Sequence, residues 1–314
     1  MKTVYIVVPC YNEEAVLYET AAQLMNVLSI MKEAGYTNDK SRIMFVDDGS
    51  KDRTWSIIEE LSTAHTQIGG IKLAHNAGHQ NALMSGLMSV KSLCDCAISI
   101  DADLQDDVQI IPEMVNKYIH GAHVVYGVRN RRDTDTFFKR TTALGFYKLM
   151  NVMGVNVMYN HADYRLMSRE ALEGLAQFPE RNLFLRGVVS LIGYSSDVVY
   201  YDRHERFAGE SKYPLKKMLS FAVDGITSFS ITPIRIITGL GAIACIFAVV
   251  MAVYAIVQKC LGNSNAGWSS LMCSIWFLGG VQILGLGLIG EYIGKIYKEV
   301  KRRPRYIIEK IINH

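Results

Sequence analysis

The sequence lacks the paired cysteines, the strong charge excess and the leader segment that identify several common classes of protein. Its six cysteines include no C-x-x-C pair, which excludes zinc sites built on such pairs. The net charge of +3 is too small to indicate a nucleic-acid partner. No apolar signal-peptide core follows Met1, so we expect the N-terminal part to stay in the cytoplasm with reduced thiols.

Charged residues are also absent from two long apolar runs near the C-terminal end, residues 236–257 and 268–290. Each run is longer than the roughly 20 apolar residues that span a bilayer core. A buried core helix is the alternative, but two such runs in succession favour two transmembrane helices. Small residues in the second run would permit close helix packing and thus a homo-oligomer through these helices, but the sequence does not determine the oligomeric state.

Basic residues predict the orientation of this hairpin. They precede the first run and follow the second, whereas the loop between the runs holds only Lys259. The positive-inside rule therefore places both termini in the cytoplasm of a multi-pass inner-membrane protein. We divide the chain into a cytoplasmic catalytic domain (1–213), juxtamembrane amphipathic helices (214–234), the hairpin (235–291) and a basic cytoplasmic tail (292–314).

The N-terminal part alternates between short β-branched runs and segments with helical periodicity. Strands are predicted at residues 4–8, 42–46, 71–74, 96–100 and 123–127. Helices are predicted at residues 13–31, 54–64, 77–92 and 108–119. This alternation predicts an α/β domain with a mostly parallel, Rossmann-like sheet, in which ligands bind beyond the carboxyl ends of the strands.

Asp101 and Asp103 directly follow the predicted strand 96–100. Residues two apart at a strand end point the same way, so the two carboxylates can converge on one hard cation. One or two carboxylates, completed by substrate phosphates, are a common way to bind Mg²⁺, and we expect Mg²⁺ or Mn²⁺ here. A solvated acidic loop is the alternative.

Asp47 and Asp48 end the predicted strand 42–46. Ser50 or Asp52 is expected to cap the helix that begins near Thr54. Capping does not explain two adjacent carboxylates at a strand end, which can accept hydrogen bonds from a uracil N3–H or from ribose hydroxyls. The histidines show no metal-ligand spacing, and His79 is expected to be structural.

Five segments, in this order, carry a resemblance to a known family. Three resemble the nucleotide-sugar motifs of family 2 glycosyltransferases of the GT-A fold: Val8-Pro9-Cys10-Tyr11-Asn12-Glu13-Glu14, Val46-Asp47-Asp48-Gly49-Ser50-Lys51-Asp52 and Asp101-Ala102-Asp103. Residues 75–82 and 206–213, followed by two spans, are similar to bacterial polyprenyl-phosphate glycosyltransferases. Bactoprenol glucosyltransferases are the nearest type, and dolichol-phosphate mannose synthases are more distant. The resemblance covers essentially the whole chain.

The resemblance implies a metal-dependent hexosyltransferase that moves glucose, by preference, from a UDP-sugar to undecaprenyl phosphate at the cytoplasmic membrane face. A single attack on the anomeric carbon would invert its configuration. A downstream flippase is a further expected partner. The nucleotide-sugar contacts that it implies are Pro9, Tyr11, Asn12, Glu13, Asp47, Asp48 and Asp101. The metal ligands that it implies are Asp101, Asp103 and Gln105.

The resemblance also implies an acceptor site. Its implied phosphate-binding residues are Arg206, Ser211 and Lys212, with Arg129 and Arg186 as further candidates. A mobile acceptor loop is implied between residues 127 and 140. Asp163 joins Asp101 and Asp103 as a candidate catalytic residue, either as a base or as a sugar-binding residue. A juxtamembrane patch on anionic lipid is the alternative for the basic segment around residue 206.

Two departures from the family pattern and several rival functions remain open. His75 stands where the family often has arginine, and Asp106-Asp107-Val108 stands where it often has Asp-Pro-Pro. None of the tryptophans follows an arginine, which argues against a processive synthase. No glycine-rich basic loop follows the first strand, which argues against a nucleotidyltransferase. A GDP-mannose or UDP-amino-sugar donor, and a catalytically inactive membrane scaffold, are the remaining alternatives.

Overall fold

The structure is a computed structural model that describes residues 1–130, 161–181, 185–202, 232–261 and 267–313. These residues fall into two compact units. One is built on an eight-stranded sheet, and the other on two long helices. Elements are numbered below in chain order within the described residues.

The N-terminal half of the sheet has the predicted parallel α/β pattern. Its strands are β1 (Val4–Cys10), β2 (Arg42–Asp47), β3 (Ile68–Leu73) and β4 (Cys96–Ser99), and neighbouring strands pair in parallel. Its helices are α1 (Leu17–Glu33), α2 (Thr54–Ala64), α3 (His79–Val90) and α4 (Ile111–Ile119), the last preceded by a 3₁₀ turn (Val108–Ile110). Every residue of β1 is buried, because helices cover both faces of a parallel sheet.

The second half of the sheet contains one antiparallel strand that the sequence did not predict. It comprises β5 (Val124–Arg129), β6 (His161–Ser168) and β7 (Ser196–Tyr201), with α5 (Arg169–Ala176) and α6 (Leu185–Leu191) between the last two strands. β6 lies between β4 and β5 and runs antiparallel to both, whereas β7 is parallel to β5. The sheet is therefore mostly parallel, in the order β7-β5-β6-β4-β1-β2-β3-β8, where β8 is the C-terminal strand described next.

The chain returns to this sheet at its C-terminal end. β8 (Ile308–Ile312) pairs antiparallel with β3, and two ion pairs accompany it: Lys72–Glu309 at 2.9 Å and Lys310–Glu59 at 2.7 Å. Gly70 permits close packing of both α2 and β8 against β3, since an added Cβ there would lie 2.5 Å from Ile58 Cγ2 and 3.1 Å from Ile312 Cγ1. Part of the segment predicted as a basic tail is thus an edge strand of the eight-stranded sheet.

The second unit contains α7 (Thr232–Cys260) and α8 (Trp268–Lys301). Within them, Thr232–Met251 and Phe277–Lys301 are long and apolar enough to cross a membrane. Large apolar side chains such as Phe247 and Leu284, which are 64% and 72% exposed, cover these helices. α8 continues beyond the predicted end at residue 290. In this unit α8 lies beside α7 at Gly285, where an added Cβ would lie at an ordinary contact distance of 3.5 Å from Ile237 Cγ2.

Candidate active site

The loops after β1 and β2 are joined by reciprocal hydrogen bonds between backbone and side chains. Asn12 donates its backbone N–H to Ser50 Oγ at 3.0 Å, and its Oδ1 accepts from the Lys51 N–H at 2.9 Å. Glu13 N–H donates to Thr54 Oγ1 at 2.9 Å. Asn12 adopts the left-handed backbone region, with φ of 55°, which asparagine tolerates better than most residues. The two predicted nucleotide-sugar motifs therefore form one continuous surface.

Asp48 extends this surface to the loop that precedes α3. Its two carboxylate oxygens accept the backbone N–H groups of Ala77 and Gly78 at 2.6 and 3.0 Å. The neighbouring Asp47 is completely buried, and its Oδ1 accepts the Ser50 N–H at 3.1 Å. Burial raises the pKa of both carboxyl groups, and the hydrogen bonds to the charged form partly offset it.

Gly49 permits the close approach of these loops. Its φ is +66°, and an added Cβ would lie 2.7 Å from the backbone of His75 and Asn76. Gly35 has a similar φ of +76° but open space around it. Gly35 is therefore required only by its backbone conformation. Gly49 is required by its backbone conformation and also by the lack of space for a side chain.

This difference gives a testable prediction for thermal stability. Gly35→Ala should cost about 1–2 kcal/mol for the left-handed conformation and lower Tm by about 2–8 °C. Gly49→Ala should lower Tm by at least about twice as much, because its Cβ also collides with backbone atoms that cannot rotate away. Thermal unfolding of the purified full-length protein checks both variants. Equal shifts would show that the loops separate freely.

The acidic loop after β4 turns sharply at Leu104. This residue has φ of 54°, an unusual conformation for a branched side chain, and Gln105 N–H donates to Asp103 Oδ1 at 3.2 Å. Asp101 lies at the start of the loop with its side chain 39% exposed. Non-glycine residues held in this region often mark functional loops, and here two of them, Asn12 and Leu104, lie in the predicted motifs.

Asp163 lies opposite Asp101 across the sheet. β4 and β6 are antiparallel neighbours with Ser99 opposite Arg165, so Asp101, two residues beyond Ser99, and Asp163, two residues before Arg165, lie at the same end of this strand pair. His79, the first residue of α3, lies between them, with Nε2 3.5 Å from Asp101 Oδ1 and 3.7 Å from Asp163 Oδ2. Burial lowers the pKa of His79, but the two carboxylates outweigh burial and raise it to about 9.

Asp163 is also held by two arginines. Arg165 Nη2 contacts Asp163 Oδ1 at 2.5 Å, and Arg186 contacts both carboxylate oxygens at 3.3 and 3.2 Å. Burial alone would raise the pKa of Asp163, but Arg186, His79 and Arg165 outweigh burial and hold it well below its usual value. Asp163 therefore stays ionised at neutral pH.

Arg129, the other candidate arginine among the described residues, is paired with Asp106. Arg129 Nη2 lies 3.0 Å from Asp106 Oδ1, and its Nε donates to Tyr201 Oη at 3.2 Å. The adjacent Asp107 caps the 3₁₀ turn by accepting the Gln109 N–H at 2.8 Å. Asp107, which stands where the family often has proline, and its neighbour Asp106 therefore both have structural partners here.

The residues around Asp101 fit a hard divalent cation. Burial and the nearby carboxylates of Asp106, Asp163 and Asp103 raise the pKa of Asp101 to about 6, although His79 opposes them. An excess of negative charge among oxygen donors is what Mg²⁺ or Mn²⁺ relieves. No group of three His, Cys, Asp or Glu ligands occurs among the described residues, so substrate oxygens would have to complete the coordination.

Part of the predicted site lies outside the described residues. Arg206, Ser211 and Lys212 are among them, as is the predicted acceptor loop beyond residue 130. Pro9 is buried within β1, and Tyr11 is 40% exposed in the loop that follows. These assignments remain predictions.

Comparison with known proteins decides the family. Residues 5–175 match the family described as Glycosyl transferase family 2. The chain belongs to glycosyl transferase family 2. In this glycosyltransferase, residues 232–296 also match the GtrB C-terminal hairpin, a region that contains α7 and most of α8.

Several curated relatives of this family 2 glycosyltransferase are similar over nearly the whole chain. The uncharacterized glycosyltransferase YkoT of Bacillus subtilis (strain 168) is 58% identical over 97% of this chain and 90% of its own length. The prophage bactoprenol glucosyl transferase homolog of Escherichia coli (strain K12) is 40% identical over 98% of both chains. The SfII prophage-derived bactoprenol glucosyl transferase of Shigella flexneri is 41% identical over 97% of both.

Solved structures give a weaker similarity. Glucosyl-3-phosphoglycerate synthase from Mycobacterium tuberculosis, in complex with Mn²⁺, UDP and phosphoglyceric acid, is 16% identical. The similarity covers 72% of this chain and 76% of that one, with a TM-score of 0.45. The assignment of a mostly parallel sheet rests on the strand pairing of this chain itself.

Sequence reasoning missed three residues of this site. His79 was expected to be structural, yet it lies between two candidate catalytic carboxylates. The sequence does not single out Arg165 or Asp106 as site residues, although each is buried and paired with a predicted site residue. Arg165 could have been noticed, because residues two apart on a strand share a face and Asp163 precedes it by two.

Proposed function

We propose that this glycosyltransferase transfers glucose from UDP-glucose to undecaprenyl phosphate with inversion at the anomeric carbon. The observation that carries the proposal is similarity over 97–98% of both chains to proteins named bactoprenol glucosyl transferase. The match includes the C-terminal hairpin, which suits an enzyme whose acceptor is embedded in a bilayer. A soluble acceptor would need no such hairpin.

The donor would bind at the carboxyl ends of β1, β2 and β4. Asp48 supports this assignment because it joins the loops of β2 and α3, and Tyr11 offers an exposed aromatic face for the base. Asn12 and Glu13 fix the first loop, and Asp47 is the buried support beneath Ser50. We assign Asp101 to the region of the ribose and diphosphate.

Asp101, Asp103 and Gln105 would hold a divalent cation, Mg²⁺ or Mn²⁺. Such a cation supplies Lewis-acid stabilisation of the UDP leaving group. The carboxylates of Asp101 and Asp103 bind and orient it, and the turn at Leu104 fixes Asp103 through the Gln105 N–H. His79 offsets part of the negative charge near Asp101.

The chemical step is a single displacement. An oxygen of the acceptor phosphate attacks the anomeric carbon while the bond from that carbon to the donor's β-phosphate oxygen breaks, and UDP leaves with the electron pair. The acceptor phosphate is already anionic at neutral pH, so no proton has to be removed. Fixed cationic side chains are needed instead to bring two negatively charged groups together.

The membrane arrangement of the proposal has both termini and the catalytic domain in the cytoplasm. The C-terminal strand β8 pairs with β3 of the sheet, and the chain between them passes through α7 and α8. A chain that leaves and rejoins one domain crosses a bilayer an even number of times. Two crossings therefore agree with the distribution of basic residues. The lipid-linked sugar would form on the inner leaflet, so a flippase would be needed for use outside.

A donor screen tests the proposed function. Purified full-length protein in detergent would be mixed with undecaprenyl phosphate, Mn²⁺ and, separately, UDP-glucose, UDP-galactose, UDP-N-acetylglucosamine or GDP-mannose. We expect UDP release and a lipid-linked glucose with UDP-glucose, and an anomeric configuration opposite to that of the donor. A product with GDP-mannose or an amino sugar alone would replace the glucose assignment. The absence of product with every donor would favour the inactive scaffold.

A further inference from the structure

One carboxylate of the candidate site is shared by three cationic side chains. Asp163 Oδ1 receives Arg165 Nη2 and Arg186 Nε, whereas Oδ2 receives Arg186 Nη2 and faces His79. The Asp163 side chain is only 11% exposed, and that of Arg165 is 2% exposed. Arg186 is the more accessible arginine, with its side chain 32% exposed.

This arrangement does not suit a general base. A base must expose an oxygen to the proton that it removes and must have a pKa near the operating pH. Both oxygens of Asp163 are engaged, and its cationic neighbours hold its pKa well below the usual value. The reaction proposed above also gives a base no proton to remove.

The charges instead favour a role in holding Arg186. Arg165 is buried and already pairs with Asp163, so the same single negative charge is shared by a second guanidinium group. Arg186 is the more exposed of these two arginines and is the one that a substrate anion can reach, whereas Arg129 pairs with the buried carboxylate of Asp106. Arginine binds phosphate through two parallel N–H groups, which requires a fixed orientation.

The backbone around Arg186 is fixed by the same cluster. Leu185 N–H donates to Gln80 Oε1 at 3.0 Å, which ties the start of α6 to the first turn of α3. Leu185 O lies 3.5 Å from Arg165 Nη1. Asp163 therefore holds the side chain of Arg186, and Arg165 contacts the backbone of the preceding residue, Leu185.

We propose that Asp163 is a positioning residue, anchored by the buried Arg165, which orients Arg186 to bind a phosphate group of the substrates. The inference rests on the proposed function, because two phosphate-bearing substrates are available there. The phosphate is either that of the lipid acceptor or the diphosphate of the donor, and the two are separated by the choice of ligand below.

A double-mutant cycle on the full-length protein tests the inference by binding alone. Isothermal titration would measure the affinity for farnesyl phosphate and, separately, for UDP with Mn²⁺ in Arg186→Gln, Asp163→Ala and the double variant. We expect Arg186→Gln to weaken one of the two ligands about 10- to 100-fold, as loss of a charged hydrogen bond does. Asp163→Ala should weaken the same ligand, and the double variant should be no worse than Arg186→Gln. Additive losses, or no loss in Arg186→Gln, would overturn the inference.

Two further variants cover folding and chemistry. Asp163→Ala leaves Arg165 buried without its partner and can unfold the domain, so Asp163→Asn, which keeps one acceptor oxygen for Arg186, is measured beside it. Arg169→Gln is the control, because Arg169 lies at the surface and pairs with Asp95. In turnover, a positioning role raises KM for the affected substrate in Asp163→Asn and changes kcat by a few-fold. A loss of kcat of roughly 100-fold or more with unchanged KM would identify a base instead.

The binding and turnover measurements also separate this inference from the proposed function. Coupled losses of affinity without sugar transfer from any donor would leave the positioning role intact and remove the proposed reaction. Glucose transfer with additive losses of affinity would support the proposed reaction and remove the positioning role of Asp163.

Discussion

Asp103→Ala should reduce the turnover of UDP-glucose and undecaprenyl phosphate by about a thousandfold, since a bound divalent ion contributes several kcal/mol of transition-state stabilisation. The reason is the small number of protein ligands. Among the described residues no group of three His, Cys, Asp or Glu side chains could hold a metal ion, so the ion would depend strongly on each of its two carboxylates. Initial rates at saturating Mn²⁺, together with Mn²⁺ binding in the presence of UDP, measure the effect.

Asp107→Ala is the matched control for this prediction. Asp107 belongs to the same acidic loop, but its carboxylate caps the 3₁₀ turn by accepting the Gln109 N–H. Its loss should cost about 1 kcal/mol of stability, as for other caps, and change turnover by only a few-fold. Wild-type turnover and Mn²⁺ binding in Asp103→Ala would remove the metal assignment.

Much of the parallel half of the fold could be predicted from the sequence because its signals are local. Strands β1, β2 and β4 are short, mostly buried runs rich in apolar residues, and polar clusters mark the points where they end. Two of those clusters, around Asp47 and Asp101, lie in loops at the same edge of the sheet, as a parallel arrangement requires. The length of the uncharged runs likewise predicted the helices α7 and α8.

The rest of the fold depends on pairing between distant residues, which leaves little local signal. β8 is a five-residue strand in a basic segment, and its partner β3 lies more than two hundred residues earlier in the chain. β6 carries two charged residues, Asp163 and Arg165, and charged residues are typical of a protein surface. Arg165 is nevertheless only 2% exposed, because the two residues neutralise each other. Hydrophobicity alone places such a pair in water.

The role of His79 also depends on distant residues and leaves no local signal in the sequence. A histidine at the start of a helix has no particular signature. The role of His79 comes from two carboxylates, one in the loop after β4 and one on β6, that the antiparallel pairing of these strands brings together. The acidic motif could therefore be predicted, but the cations around it could not. The proposed positioning role of Asp163 depends on those cations.

Asp48→Asn should raise KM for UDP-glucose by about 30- to 100-fold, corresponding to the loss of roughly one to two charged hydrogen bonds. Both oxygens of Asp48 accept backbone N–H groups, those of Ala77 and Gly78. In asparagine one oxygen is replaced by an amide NH₂, which would point a donor at a donor. The loop before α3 would then separate from the β2 loop, and with it His79 would move relative to Asp101.

The prediction distinguishes a loop-fixing carboxylate from one that only contacts the nucleotide. If Asp48 fixes the loop, Asp48→Asn should lower Tm as well as donor affinity, since the variant leaves a partly buried backbone N–H without its acceptor even in the absence of ligand. Asp39→Asn is the control, because Asp39 is 82% exposed and pairs only with Lys32 among the described residues. Weakened donor binding with an unchanged Tm would instead mean that Asp48 acts on the nucleotide alone. If Asp48→Asn changes neither Tm nor donor affinity, the donor binds away from the β2 loop.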